Sequence, residues 1–235
     1  MKFEKPIVKA TLLKRYKRFL ADAILEDGTE VTAHCPNTGS MKTCWEEGDI
    51  VYFTEHDDPK RKLKYTWELS ETEGGYIGIN TNMPNKIAFE AIANGQVKEL
   101  TGYRTLKREI KYGENSRIDI HLSDAPNEPN CFVEIKNVTL YDSNANALTF
   151  PDSLTTRGQK HLKELMNVVK GGERAVMLYI LNRPEGNYFS PASEIDPEYA
   201  RLLKEASESG VEILAYRVNS SPSELNLAEP VPIKL

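Results

Sequence analysis

The hydrophobic pattern of the chain changes near Met83, and that change divides it into two units of different class. From Pro6 to Ile79 the apolar residues fall in short β-type segments, "FLADAILEDG", "TEVTAHC", "DIVYFTEH" and "YTWELSE". They are separated by the turn signals Asp27-Gly28, Gly48-Asp49 and Gly74-Gly75. This spacing predicts a small all-β unit over residues 1–83. Periodicity does not separate a barrel from a sandwich, but a five-stranded barrel suits the length and leaves fewer free edges. At "NTNMPNKIAFEAIANGQVKEL" a helix takes over, with Asn85 able to cap a start at Lys86 and Gly95 able to end it near Asn94.

Residues 84–235 then read as an α/β domain. Strands are expected in "YRTLKREIKY", "SRIDIHL" and "NCFVEIKNV". A helix follows in "TTRGQKHLKELMNVVKGG", where Leu162, Leu165, Met166 and Val169 recur at helical spacing and Gly171 stops the run. "RAVMLYIL" is a nearly unbroken apolar stretch, as in a strand buried on both faces. Asp196-Pro197 opens another helix that ends at Gly210, and "VEILAYRV" supplies a last strand. The chain is therefore expected to be an α+β two-domain protein.

Two strand segments carry more acid than a plain hairpin needs. Along Arg117–Leu122, Asp119 alternates with Ile118, Ile120 and Leu122; in the next strand Glu134 and Lys136 share a face with Phe132 and Val138. A hairpin that sets Leu122 opposite Cys131 also sets Asp119 opposite Glu134. Like charges so opposed, ~5 Å apart, repel by about 3 kcal/mol at an effective dielectric near 20. A shared proton, the Lys136 amine or a divalent cation would offset that repulsion. Two carboxylates, a strand carbonyl and waters make a hard oxygen site suited to Mg²⁺ or Mn²⁺. Such an ion supports phosphodiester hydrolysis, with Lys136 placing the nucleophile or screening the charge that develops. The plain alternative is a solvated strand face with a salt bridge. Glu90, set among the apolar residues of "IAFEAIA", is a candidate third metal carboxylate, and its alternative is an exposed helix position. Gln159, three residues before Leu162, is a candidate to orient a water or phosphate, or else to cap the sheet edge.

The whole chain, with 30 basic and 35 acidic residues and a net charge of −5, offers a polyanion no general attraction. Contact with nucleic acid must come from local clusters. "KRYKRF" supplies Lys14, Arg15, Lys17 and Arg18 around Tyr16 and Phe19; "PKRKLKYTW" supplies Lys60, Arg61, Lys62 and Lys64 beside Tyr65 and Trp67. These residues are candidates to neutralise phosphates, with the aromatics packing on sugars or bases. Solubilising faces are the alternative. In "HCPNTGSM", His34, Asn37, Thr38 and Ser40 are further candidate donors, although turn chemistry accounts for the same residues. Cys35, Cys44 and Cys131 lack zinc-site spacing and read as reduced thiols. No apolar run approaches the roughly 20 residues of a membrane span, and the start "MKFEKPIVKATLLKRYKRF" has no uncharged leader core, so a cytoplasmic protein is expected.

The blocks "RYKRFLADA", "HCPNTGSM", "PKRKLKYTWEL", "EIKYGENSRIDI", "FVEIKNVTL", "FPDSLTTRGQKHLKEL" and "GVEILAYR" closely resemble the sugar fermentation stimulation protein A family along almost the whole chain. The resemblance implies an N-terminal OB-fold-like β-barrel joined to a domain similar to PD-(D/E)xK nucleases. It also implies non-specific binding to double-stranded DNA, mainly through its backbone, and a regulatory link to sugar metabolism. Under it the nuclease pattern falls on Asp119, Glu134 and Lys136, with Glu90 as the helix carboxylate and Gln159 as the later helix residue. Ile118 stands where the motif has proline. Three functions follow as expectations: a Mg²⁺-dependent endonuclease, a DNA-binding regulator that does not cut, and a small-ligand sensor. Assembly is left open between a monomer and a homo-oligomer.

Overall fold

The computed structural model describes residues 1–112 and 116–235; the 113–115 portion of "EIKYGENSRIDI" lies outside the described residues. The N-terminal unit holds six strands: β1 (Ile7–Tyr16), β2 (Leu20–Leu25), β3 (Glu30–His34), β4 (Ile50–Glu55), β5 (Tyr65–Thr72) and β6 (Gly75–Gly78). Their order is β3-β2-β1-β4-β5-β6, and β3 meets β5 in parallel through Ala33↔Tyr65 and His34↔Thr66. Five strands thus close into a barrel, and β6 hangs on its β5 edge. Leu12, Phe53, Trp67, Ile77 and Ile79 fill the interior. The periodic reading missed β1, because Lys9, Lys14 and Arg15 interrupt its apolar residues; only Ala10 and Leu12 are buried. Lys17 and Arg18 turn the chain into β2 with positive φ angles of 50° and 67°.

Helix α1 (Met83–Ala93) starts three residues earlier than Asn85 capping implies: Asn82 is its N-cap. Pro84 explains the shift, since its fixed φ and missing N–H suit a first helical turn. There follow β7 (Thr105–Tyr112), β8 (Ser116–Ser123), β9 (Cys131–Val138), β10 (Leu140–Asp142), β11 (Ala147–Phe150) and α2 (Thr156–Lys170). Next come β12 (Arg174–Leu181), β13 (Tyr188–Pro191), α3 (Pro197–Glu208), β14 (Glu212–Ser220) and β15 (Leu225–Pro230). The main sheet runs β15-β14-β12-β9-β8-β7, with β12 parallel to both β9 and β14. That central position buries Ala175 through Leu181 completely. Leu162, Leu165, Leu202 and Leu203 of α2 and α3 pack on one face with Tyr179. On the other face Ile87 and Ala91 of α1 pack with Val133, Ile135 and Leu178, and Tyr52 and Leu69 of the barrel join the same cluster. Strands β10, β11 and β13 form a small second sheet, too short to register as periodicity.

Polar bolts complete the junction between barrel and α/β domain. Buried Arg183 donates through one guanidinium nitrogen to the carbonyls of Thr43 and Thr139, each at 2.8 Å, while its other nitrogens hold Glu185. Ser40 donates its amide and hydroxyl to Asp152 at 2.7 and 3.1 Å. Among the described residues no helix is long and apolar enough to cross a membrane.

Candidate active site

Strands β8 and β9 pair Leu122 with Cys131, His121 with Phe132 and Ile120 with Val133. Continued one step, this register sets Asp119 beside Glu134, and there a side chain joins the strands. Asp119 Oδ2 accepts from the Ile135 amide at 2.7 Å, and Oδ1 accepts from Asn85 Nδ2 at 2.8 Å. Burial and then the nearby Glu134 charge push the Asp119 carboxyl up to about 6.

Glu134 is 3% exposed. Lys136 reaches back along its strand and donates to Glu134 Oε1 at 2.6 Å. The same oxygen contacts His161 Nδ1. Arg157 Nε donates to His161 Nε2 at 3.4 Å, so a neutral ring carries its proton on Nδ1 and gives that hydrogen bond to Glu134. Burial alone would raise the Glu134 carboxyl, but the His161 hydrogen bond and the Lys136 charge outweigh it and hold the group below its ordinary value. Its second oxygen, Oε2, is buried without a hydrogen-bond partner. Tyr112 and Ser116 lie close by, both donating to Glu164, at 3.4 and 2.7 Å.

The donor set fits a hard divalent cation. Mg²⁺ uses one or two carboxylates and keeps several waters, and an unpartnered buried carboxylate oxygen beside a second acid meets that need. Among the described residues no group of three or more His, Cys, Asp or Glu is placed to hold a metal ion, so an ion here would rest on the two carboxylates and water.

Two expected members of the cluster lie elsewhere. Glu90 is half exposed and faces the N-terminal ammonium at 3.4 Å. It occupies an exposed position of α1, whereas Asn85, five residues earlier, reaches Asp119. Gln159 sits beside the buried stripe of Gly158, His161, Leu162 and Leu165, and its amide donates to both oxygens of Asp196 at 2.9 and 3.1 Å. There it holds Asp196, the N-cap of α3. Sequence reasoning overlooked His161 and Asn85. The signal for His161 was present, as a polar residue on a helix stripe that packs on the sheet.

Asp196 itself is fully buried and also accepts from the amides of Thr155 and Tyr199, both at 2.9 Å. These bonds outweigh the desolvation that would raise its carboxyl and hold it below the ordinary value. Asp196→Ala is expected to cost about 3 kcal/mol, from the lost cap and the stranded donors. A depressed carboxyl contributes stability above its unfolded value and loses it as pH falls through its folded value. The gap between wild type and variant should therefore be flat from about pH 5 to 8 and shrink below about pH 4 in urea titrations.

The cationic clusters are largely committed within the barrel. Arg15 donates to the carbonyls of Arg18, Asn37 and Gly39, and Arg18 to that of Thr38, so both brace the loop following β3 rather than stand free. Lys14 pairs with Asp22 at 3.4 Å and Lys64 with Glu55 at 2.5 Å. Arg61 is held by His56 and Thr66. Lys17, Lys60 and Lys62 are exposed. Trp67 is wholly buried and cannot stack on a base, whereas Phe19 is 46% exposed. In the loop, Asn37 is buried and Ser40 is bound to Asp152, so neither is a free phosphate donor. The three cysteines are buried and unpaired.

Comparison with known proteins agrees with this architecture. Residues 13–79 match the SfsA N-terminal OB domain and residues 82–224 the sugar fermentation stimulation protein RE domain. A sugar fermentation stimulation protein homolog of Geotalea uraniireducens is 53% identical over 98% of each chain. One from Shewanella sp. is 52% identical over the full length of both. The structure of Pyrococcus furiosus SfsA in complex with Ca²⁺ superposes with a TM-score of 0.87 at 30% identity, covering 100% of this chain and 98% of that one. With an OB barrel, an α/β domain and matches of this extent in both, the chain belongs to the sugar fermentation stimulation protein (SfsA) family.

Proposed function

We propose that this protein binds double-stranded DNA, mainly through its backbone, and hydrolyses a phosphodiester with Mg²⁺ or Mn²⁺ at Asp119 and Glu134. The observation that carries the reading is the buried, unpartnered Oε2 of Glu134 beside a second acid. The Ca²⁺ complex of the Pyrococcus furiosus relative supports it, since Ca²⁺ is also a hard, oxygen-seeking ion. Bound there, a divalent ion would activate water and stabilise charge on the phosphate. Asn85 and the Ile135 amide orient Asp119, His161 orients Glu134, and the Lys136 ammonium stabilises the negative charge that builds on the phosphate oxygens. Lys17, Lys60 and Lys62 are the cations best suited to hold the DNA backbone.

A second reading, a DNA-binding regulator that does not cut, draws on the way the Lys136 ammonium and the His161 hydrogen bond already occupy Oε1 of Glu134. Supercoiled plasmid incubated with the purified protein separates the two. Nicking that requires Mg²⁺ or Mn²⁺ and stops on chelation is expected. Salt-sensitive retention of DNA without nicking in either metal would leave the regulator.

A further inference from the structure

A cavity of about 620 Å³, lined by none of Asp119, Glu134, Lys136 or His161, lies where the barrel meets the first turn of α1 and the N-terminal residues. Its size falls within the range of small-molecule sites. Inside it lies Glu68, 4% exposed on barrel strand β5. Oε1 of Glu68 accepts from Thr54 at 2.7 Å and Oε2 from Asn80 at 2.8 Å. The network continues through His56, which lies 3.3 Å from Thr54 and 3.0 Å from Thr66, to Arg61, 3.1 Å from the His56 ring.

Packing of the outer face of β5 against α1 has no need of a buried carboxylate, and burial raises the Glu68 carboxyl above its ordinary value, a sign of the desolvation it suffers. Neither the acid cluster nor the exposed lysines use it. Each of its oxygens accepts one hydrogen bond and has capacity for another, which suits a ligand hydroxyl. Around it the cavity wall is cationic, with Lys2, Lys5, Arg61 and Lys86 against Glu4 and Glu68. A ligand matched to this wall carries an anionic group and several hydroxyls.

We propose that this cavity binds a small phosphorylated polyol, either a sugar phosphate or a nucleoside monophosphate, with its phosphate on Arg61 and Lys86 and its hydroxyls on Glu68 and Asn80. Lys86 neighbours Asn85, which holds Asp119, so one helical turn borders both sites.

Calorimetric titration of the full chain with ribose 5-phosphate, adenosine 5′-monophosphate, ribose and inorganic phosphate tests this. One of the two phosphate esters should bind about tenfold or more tightly than ribose or phosphate alone. The tighter ester identifies the source. Lys86→Gln and Glu68→Gln should each weaken that ester about tenfold or more, with melting curves showing both variants folded. Glu134→Gln should bind it as wild type does, which keeps this result independent of the nicking assay. The proposal is overturned if neither ester binds at millimolar concentration, or if inorganic phosphate binds equally well. It also falls if both folded cavity variants bind normally, or if a short DNA duplex displaces the ester, which would make the cavity part of the DNA surface.

Discussion

Glu134→Gln is expected to lower metal-dependent plasmid nicking by about 10²–10³-fold, the usual effect of removing one preorganised electrostatic contact from a reacting centre. The amide keeps the shape of the side chain and a carbonyl oxygen for Lys136 and the His161 N–H, so the fold should survive. What disappears is the anionic pair that a hard cation needs: Glu134 is the buried partner of Asp119, and its Oε2 has no hydrogen-bond partner. Glu90→Gln serves as the contrast. That carboxylate is half exposed and faces the N-terminal ammonium, so nicking should be unchanged. Equal nicking by Glu134→Gln and wild type would remove the acid cluster from the chemistry.

Arg183→Met should produce the largest loss of stability, about 3–5 kcal/mol, because it removes the charged hydrogen bonds that the buried guanidinium gives to the part-buried carbonyls of Thr43 and Thr139 and to the partly exposed Glu185 carboxylate. For a chain of this size that corresponds to a fall in Tm of roughly 6–20 °C. Arg183 binds Thr43 after the barrel's third strand and Thr139 after β9, so the loss falls on the junction between the two units. Adding Glu185→Met should recover part of it, since the unpaired charge goes too. Calorimetric melting of the two variants gives both numbers, and a single-variant loss below about 1 kcal/mol would show that the bolt contributes little.

Several elements were legible in the sequence because local chemistry sets them. The alternation in β8 and β9, the apolar run of β12, the stripe of α2 and the Asp196-Pro197 start of α3 each follow from side-chain period and capping. Strand β1 was obscured by the cationic residues on its outer face, and β10, β11 and β13 were too short to carry a period.

Sequence by itself determined the two-unit division and the placing of Asp119, Glu134 and Lys136 along adjoining strands, since a strand's period of two leaves few other arrangements, while the register that sets the two acids side by side came from the paired strands. Only the tertiary structure decided which distant side chains complete the cluster. It brought His161 and Asn85 to the acids, sent Glu90 to the N-terminus and turned Gln159 toward Asp196. It likewise bound Arg15 and Arg18 to backbone carbonyls. The physical reason is that helix rotation on the sheet and the demand of buried polar groups for partners are settled by packing between elements, which no local pattern encodes.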